Sequence, residues 1–231
     1  MRIICLLFLC MTCLLQAATE GHHFYFFYKE QNDRTKTMEK VFDSVVTRLG
    51  DTITATKVNV ADPQQKPLIE RFHLRRSPMP FTLVVAENGA VTGGYPMAVT
   101  ESQLVNALSS HGQADCLKAL QERKMVILCM HQGDPNAMAG VREFASDPRF
   151  AKATEILQID ASDIREHKFL QQLGLDVHTG LPLTALIVPP AKLVGSYVGA
   201  TSKDQFISDL GTACKSCCPG GCCANGCCGP K

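Results

Sequence analysis

Met79-Pro80-Phe81-Thr82-Leu83-Val84-Val85 and Leu181-Pro182-Leu183-Thr184-Ala185-Leu186-Ile187 are two versions of one pattern, 102 residues apart. Each has an apolar residue, a proline, a second apolar residue, a threonine and a run of strand-forming side chains. Proline has no backbone N–H, so it sits at the entrance to a strand and not inside one. Both stretches therefore read as buried strands entered through a fixed turn.

The likeness continues on either side. After the first stretch, Asn88-Gly89 reads as a hairpin turn leading to a strand over Val91 to Tyr95. After the second, Pro189-Pro190-Ala191-Lys192 does the same job before Leu193 to Tyr197. A capped helix closes each half, opening at Thr100-Glu101 and at Thr201-Ser202. Leu104, Val105 and Leu108 face inward in one; Phe206, Ile207 and Leu210 do so in the other.

Upstream, helices are expected after Asp62-Pro63 and Ser162-Asp163, and strands over Ile53 to Val60 and Thr154 to Asp160. The helical spacing of Met38, Val41, Phe42, Val45, Val46 and Leu49 marks a long amphipathic helix, and Met138, Val141 and Phe144 repeat it more weakly. The opening strands are His23 to Tyr28 and Met125 to Met130, aligned residue for residue. The order β-α-β-α-β-β-α is thus written twice, which predicts two α/β domains with mixed sheets. Their expected bounds are 19–112 and 113–212. His111-Gly112-Gln113 is read as the linker and Asp115 to Glu122 as a further helix.

This order, with an apolar-Pro step before the third strand, resembles the thioredoxin fold over Gly21 to about Thr212. The resemblance implies cis peptides at Pro80 and Pro182, and a place beside those turns where proteins or peptides bind. It also implies a reactive Cys-x-x-Cys where the first strand of each half feeds its first long helix. Here those stretches read Tyr28-Lys29-Glu30-Gln31-Asn32-Asp33-Arg34 and His131-Gln132-Gly133-Asp134-Pro135-Asn136-Ala137, without cysteine. Cys129 falls within a strand and is expected to be an inert core residue. Cys116 is expected to be a half-exposed helix residue or a partner for a cysteine of the tail.

Formal net charge is +1 in 231 residues, with both signs interspersed. A nucleic-acid partner needs a concentrated basic face, so that class is excluded. Met1-Arg2, the apolar run Ile3 to Leu15 and Gln16-Ala17-Ala18 read as a signal peptide over residues 1–18. A lipid anchor at Cys10 or Cys13 is the weaker reading, and no stretch reads as transmembrane. The mature chain is then secreted or periplasmic, where disulfides persist.

The chain has 12 cysteines. Losing Cys5, Cys10 and Cys13 with the leader leaves Cys116, Cys129 and seven in the tail, residues 213–231: Cys214, Cys217, Cys218, Cys222, Cys223, Cys227 and Cys228. Their spacers are Gly, Pro, Asn, Ala, Lys and Ser, which bury no core, so order there needs a cross-link. Adjacent cysteines bond elsewhere more readily than to each other, because neighbouring Cα atoms lie about 3.8 Å apart. Seven thiols on a turn-rich chain suit Zn or Cu, both taken by soft sulfur ligands. A disulfide-cross-linked structural end is one alternative, and a thiol-disulfide oxidoreductase working through Cys214 and Cys217 is another. His22-His23, a strand-edge pair, would bind Cu(II) only beside a free terminal amine. The other histidines form no ligand spacing. The leading expectation is a non-catalytic, exported scaffold or protein-binding module with a metal-binding tail.

Overall fold

The computed structural model describes residues 21–130, 135–176 and 182–217, with only the backbone of 135–136 and 214–217. The first repeat runs β1 (His22–Tyr28), α1 (Asp33–Leu49), β2 (Ile53–Asn59), α2 (Lys66–Arg71), β3 (Phe81–Val85), β4 (Val91–Pro96) and α3 (Glu101–Asn106). Helix α4 (His111–Gln121) leads to the second repeat: β5 (Met125–Met130), α5 (Ala139–Ser146), β6 (Thr154–Gln158), α6 (Ile164–Gln172), β7 (Leu183–Val188), β8 (Lys192–Val198) and α7 (Lys203–Cys217).

The two sheets have the same build. Strand order is β2-β1-β3-β4 in one and β6-β5-β7-β8 in the other. In each, the first pair is parallel and the remaining two pairs are antiparallel. A parallel pair needs a crossover, which α1 and α5 supply. This is the thioredoxin-like arrangement expected from the element order, present in both halves.

Local chemistry explains the element ends. Asn32 Oδ1 accepts from Thr35 N at 3.0 Å to start α1. Thr100 and Gln103 form a reciprocal capping box at α3. Gly89, at φ 82, takes the left-handed position of the β3–β4 turn, where a side chain is disfavoured.

One face of the first sheet packs Phe24 and Phe26 against Met38, Phe42 and Val45 of α1 and Leu104 of α3. Its other face sets Phe27, Leu83 and Val85 against α2. In the second repeat Ile127, Cys129 and Leu186 meet Phe144 of α5 and Phe206 of α7. The opposite face is covered by α4 and α6 through Cys116, Leu120, Phe169 and Leu170. Burying each of these large side chains contributes about 1.5–3 kcal/mol.

Three expectations need correction. First, the opening strands do not align residue for residue. Thr82 sits opposite Phe26, whereas its equivalent Thr184 sits opposite Cys129. Cys129 therefore takes the sheet position of Phe26, one step from the match made on apolar pattern. In strands buried on both faces the pattern alone does not mark which side is which. Second, His111-Gly112-Gln113 is not a loose linker. It forms the first turn of α4, with Ser110 as N-cap accepting from Gln113 N. Third, β1 is a central strand, so His22 and His23 are not at a sheet edge.

Helix α4 belongs to both repeats. Ala114 packs on Ala86 and Ala90 of the first, and Asn88 Nδ2 donates to Asp115 Oδ1 at 2.8 Å. The Gln121 carboxamide takes Val91 at both ends, accepting from its N at 3.0 Å and donating to its O at 2.7 Å.

Candidate functional site

The region to inspect is the end of each sheet where the first strand feeds its helix and the proline turn lies alongside. In the first repeat the Met79–Pro80 peptide is cis and Pro80 is buried. Pro80 O accepts from Met97 N at 2.7 Å. Met97 is held at φ 69, a left-handed conformation that costs a side-chain-bearing residue about 1–2 kcal/mol. Arg34 of α1 reaches across to it, NH1 to Sδ at 3.8 Å. Asn32 Oδ1, besides capping α1, accepts from the hydroxyl of buried Thr35 at 3.2 Å. The turn beside the cis proline thus brings Pro80, Met97 and Arg34 together.

The second repeat repeats the frame. Pro182 O accepts from Gly199 N at 2.7 Å, and Gly199 lies at φ 85, so glycine here occupies the position where the first repeat strains a methionine. Residues 131–134 and Leu181, with the Leu181–Pro182 bond, lie outside the described residues. A further cis peptide joins Pro189 to Pro190 in the β7–β8 turn.

The two cysteines inside the repeats are sealed. Cys116 on α4 is 2% exposed and Cys129 on β5 is 1% exposed. Burial pushes both thiols up to about 12, opposed at Cys129 only by a bond to the Thr184 hydroxyl. Neither is a thiolate at neutral pH, and thiolate is the reactive form. Cys116 is therefore not the half-exposed residue expected from its place on a helix. It faces the core because α4 covers the second sheet.

The tail cysteines divide. Cys214 and Cys217 lie in the last turn of α7. Cys218, Cys222, Cys223, Cys227 and Cys228 fall outside the described residues. Among the described residues no group of three or more His, Cys, Asp or Glu is arranged to hold a metal. His22 Nε2 accepts from Ser109 N at 3.0 Å, and His23 stacks on Tyr25 at 4.0 Å, so both histidines have structural partners. Burial lowers the pKa of each, and Arg71 adds to the effect at His23.

Sequence reasoning missed the cleft of about 980 Å³ where α4 and α6 meet the first repeat. His22, Asn88, Ser110, Asp115, Asp160 and Glu166 line it. Glu166, only 6% exposed, accepts from Ser110 Oγ at 2.6 Å and from Gly112 N at 2.9 Å. A carboxylate at the positive end of α4 is favoured by the helix dipole. The only signal in the sequence was Ser110 three residues before Gln113, a cap pattern. Nothing marked Glu166 as its partner from 56 residues away.

No family model matches the chain, and no curated protein matches it. Solved structures do resemble it. The germline-specific thioredoxin Deadhead of Drosophila melanogaster is 20% identical, covers 38% of this chain and 77% of its own, and has a TM-score of 0.31. StoA from Bacillus subtilis is 15% identical over 38% of this chain and 82% of its own, with a TM-score of 0.32. Chloroplastic thioredoxin z is 10% identical over 43% and 80%, with a TM-score of 0.32. Scores this low carry no argument, and the fold rests on the strand order and pairing above. No described helix is long and apolar enough to cross a membrane.

Proposed function

We propose that this is an exported, non-catalytic protein with tandem thioredoxin-like domains. Its repeats present a protein-binding scaffold, and its cysteine-rich end holds a thiophilic metal, Zn or Cu. The observation that carries this reading is the distribution of sulfur. The first repeat's helix entrance has no thiol, Cys116 and Cys129 are sealed at pKa values of about 12, and seven cysteines stand at the end of the chain. The turn beside Pro80, with Met79 and Met97, is the surface on which a protein or peptide would rest.

The position of Cys214 and Cys217 supports metal over redox chemistry. A helix N-terminus stabilises a thiolate, whereas these residues occupy the C-terminal turn of α7, the negative end of the dipole. A thiolate there gains nothing from the helix unless a cation supplies the compensating charge, as a bound metal does. An oxidoreductase using this pair would work against that field.

The test is the metal content of the mature chain purified with its thiols reduced. Zinc or copper retained at micromolar supply, and lost on deleting residues 213–231, is the expected result. An intact tail that retains neither metal overturns the metal reading. Insulin reduction that disappears when Cys214 and Cys217 become Ser overturns the non-catalytic one.

A further inference from the structure

Asn88-Gly89 does more than turn the chain. An asparagine followed by glycine is open to deamidation, because no side chain on the next residue hinders its backbone nitrogen from approaching Cγ. The Gly89 nitrogen attacks Asn88 Cγ, ammonia leaves, and a succinimide ring forms. Water opens the ring and leaves aspartate or isoaspartate. In net terms one carboxamide and one water become one carboxylate and one ammonium ion.

The site where this chemistry would fall is a contact between the repeats. Asn88 Nδ2 donates to Asp115 Oδ1 at 2.8 Å, fastening the β3–β4 turn to α4. Asn88 Oδ1 accepts from Ala90 N at 2.9 Å, and Gly89 N is occupied by Ala86 O at 2.9 Å. The other oxygen of Asp115 lies 3.4 Å from His111 Nε2. Beneath the turn, Ala86, Ala90 and Ala114 pack together and leave little play.

We propose that Asn88 is a deamidation site whose conversion uncouples α4 from the first repeat. The product sets a carboxylate against the Asp115 carboxylate, where a donor stood before. Like charges at hydrogen-bond distance repel, and the lost bond was one to a charged group, the costlier kind to break. The cations at hand do not restore it. Lys118 Nζ and Arg71 NH2 each lie 3.9 Å from the point where a Gly89 side chain would begin. Lys118 is already within 3.4 Å of Glu122, and Arg71 lies over the Phe72 ring at 5.1 Å. Because three hydrogen bonds hold the reacting atoms in the folded turn, conversion proceeds through moments when the turn lifts from α4. Once made, the change prevents the original bond from re-forming, so the step runs one way.

Two measurements on the full chain test this. Peptide mapping after ageing at mildly alkaline pH, natively and in urea, reads position 88 apart from the chain's other Asn-Gly step at 225–226. Conversion at 88 in both samples, slower in the native one, is expected. An amide at 88 that shows no conversion at all in the native sample, even on ageing many times longer than the urea sample needs, overturns the proposal. In the second, Asn88→Asp should speed hydrogen exchange over 114–121 roughly tenfold while leaving β5 unchanged. Adding Asp115→Asn, which returns a donor to the contact, should restore slow exchange. Wild-type exchange in Asn88→Asp, or no recovery in the double variant, sinks the uncoupling.

Discussion

Helix α1 buries Thr35, Met38, Phe42 and Val45, whereas α5 buries Gly140, Val141 and Phe144, with Asp147 buried just past its end. Leu104 of α3 is likewise answered by Phe206 of α7. One frame is therefore held by two different interiors. The first repeat fills the space under its long helix with the side chains of Met38, Phe42 and Val45. The second brings backbone close at a glycine and ties the helix end with charge: Asp147 meets Arg149 at 2.9 Å and Lys203 of α7 at 2.7 Å. Strand pairing fixes a fold of this type, and the helix cover tolerates either solution while the space stays filled.

The hardest break falls at Gly140. A Cβ there would stand 1.8 Å from Thr201 O, a backbone atom that no rotamer change can move. Gly140→Ala should cost about 3 kcal/mol in urea denaturation through overpacking, well beyond the helix-propensity gain of about 1 kcal/mol.

Acid separates the interiors next. Hydrogen bonds from Arg149 and Lys203 hold the Asp147 carboxyl well below its ordinary value of 3.8. Its contribution is complete above that value and falls away as pH drops beneath it, toward the folded pKa. The wild-type chain should therefore lose more stability than Asp147→Asn between about pH 5 and pH 3, read as the shift in denaturation midpoint. Asp163, held down to about 2 by Arg165, acts in both proteins and cancels in the difference. The residues buried under α1 in the first repeat, Thr35, Met38, Phe42 and Val45, have no charge to lose.

The gentlest contrast lies in the central strands. Thr82 Oγ1 is buried without a partner, while the hydroxyl of its equivalent, Thr184, meets the Cys129 thiol. Thr82→Val should stabilise the chain by about 1 kcal/mol in thermal or urea unfolding, since it removes an unsatisfied polar atom at nearly constant shape. Thr184→Val should bring no such gain.

Much of this could be read in advance, and the failures have physical causes. The proline-entered strands, Thr82 and Thr184 among them, align without a slip because each carries a polar marker inside an apolar run. The opening strands have no such marker. His23 to Tyr28 and Met125 to Met130 are apolar on both faces, so Cys129 was set one step from its true equivalent. His111-Gly112-Gln113 looked like a linker because glycine and polar residues favour turns. Its helical start is capped by Ser110 and held by Glu166, a tertiary partner that no local pattern announces. Cys116 was misjudged for the same reason, since its exposure depends on which sheet α4 covers. For the site itself, the missing thiols were legible from the sequence, whereas the cleft was not, because it lies between segments far apart in the chain.

Gln121 has a consequence for how the molecule meets its own copies. A strand on the rim of a sheet offers its amides as a template for unwanted association. At Val91 both rungs are already filled, by a carboxamide that mimics a peptide unit from the neighbouring helix. A second molecule sliding along β4 meets a blocked ladder at its first step, because a side chain stands where a further strand would pair.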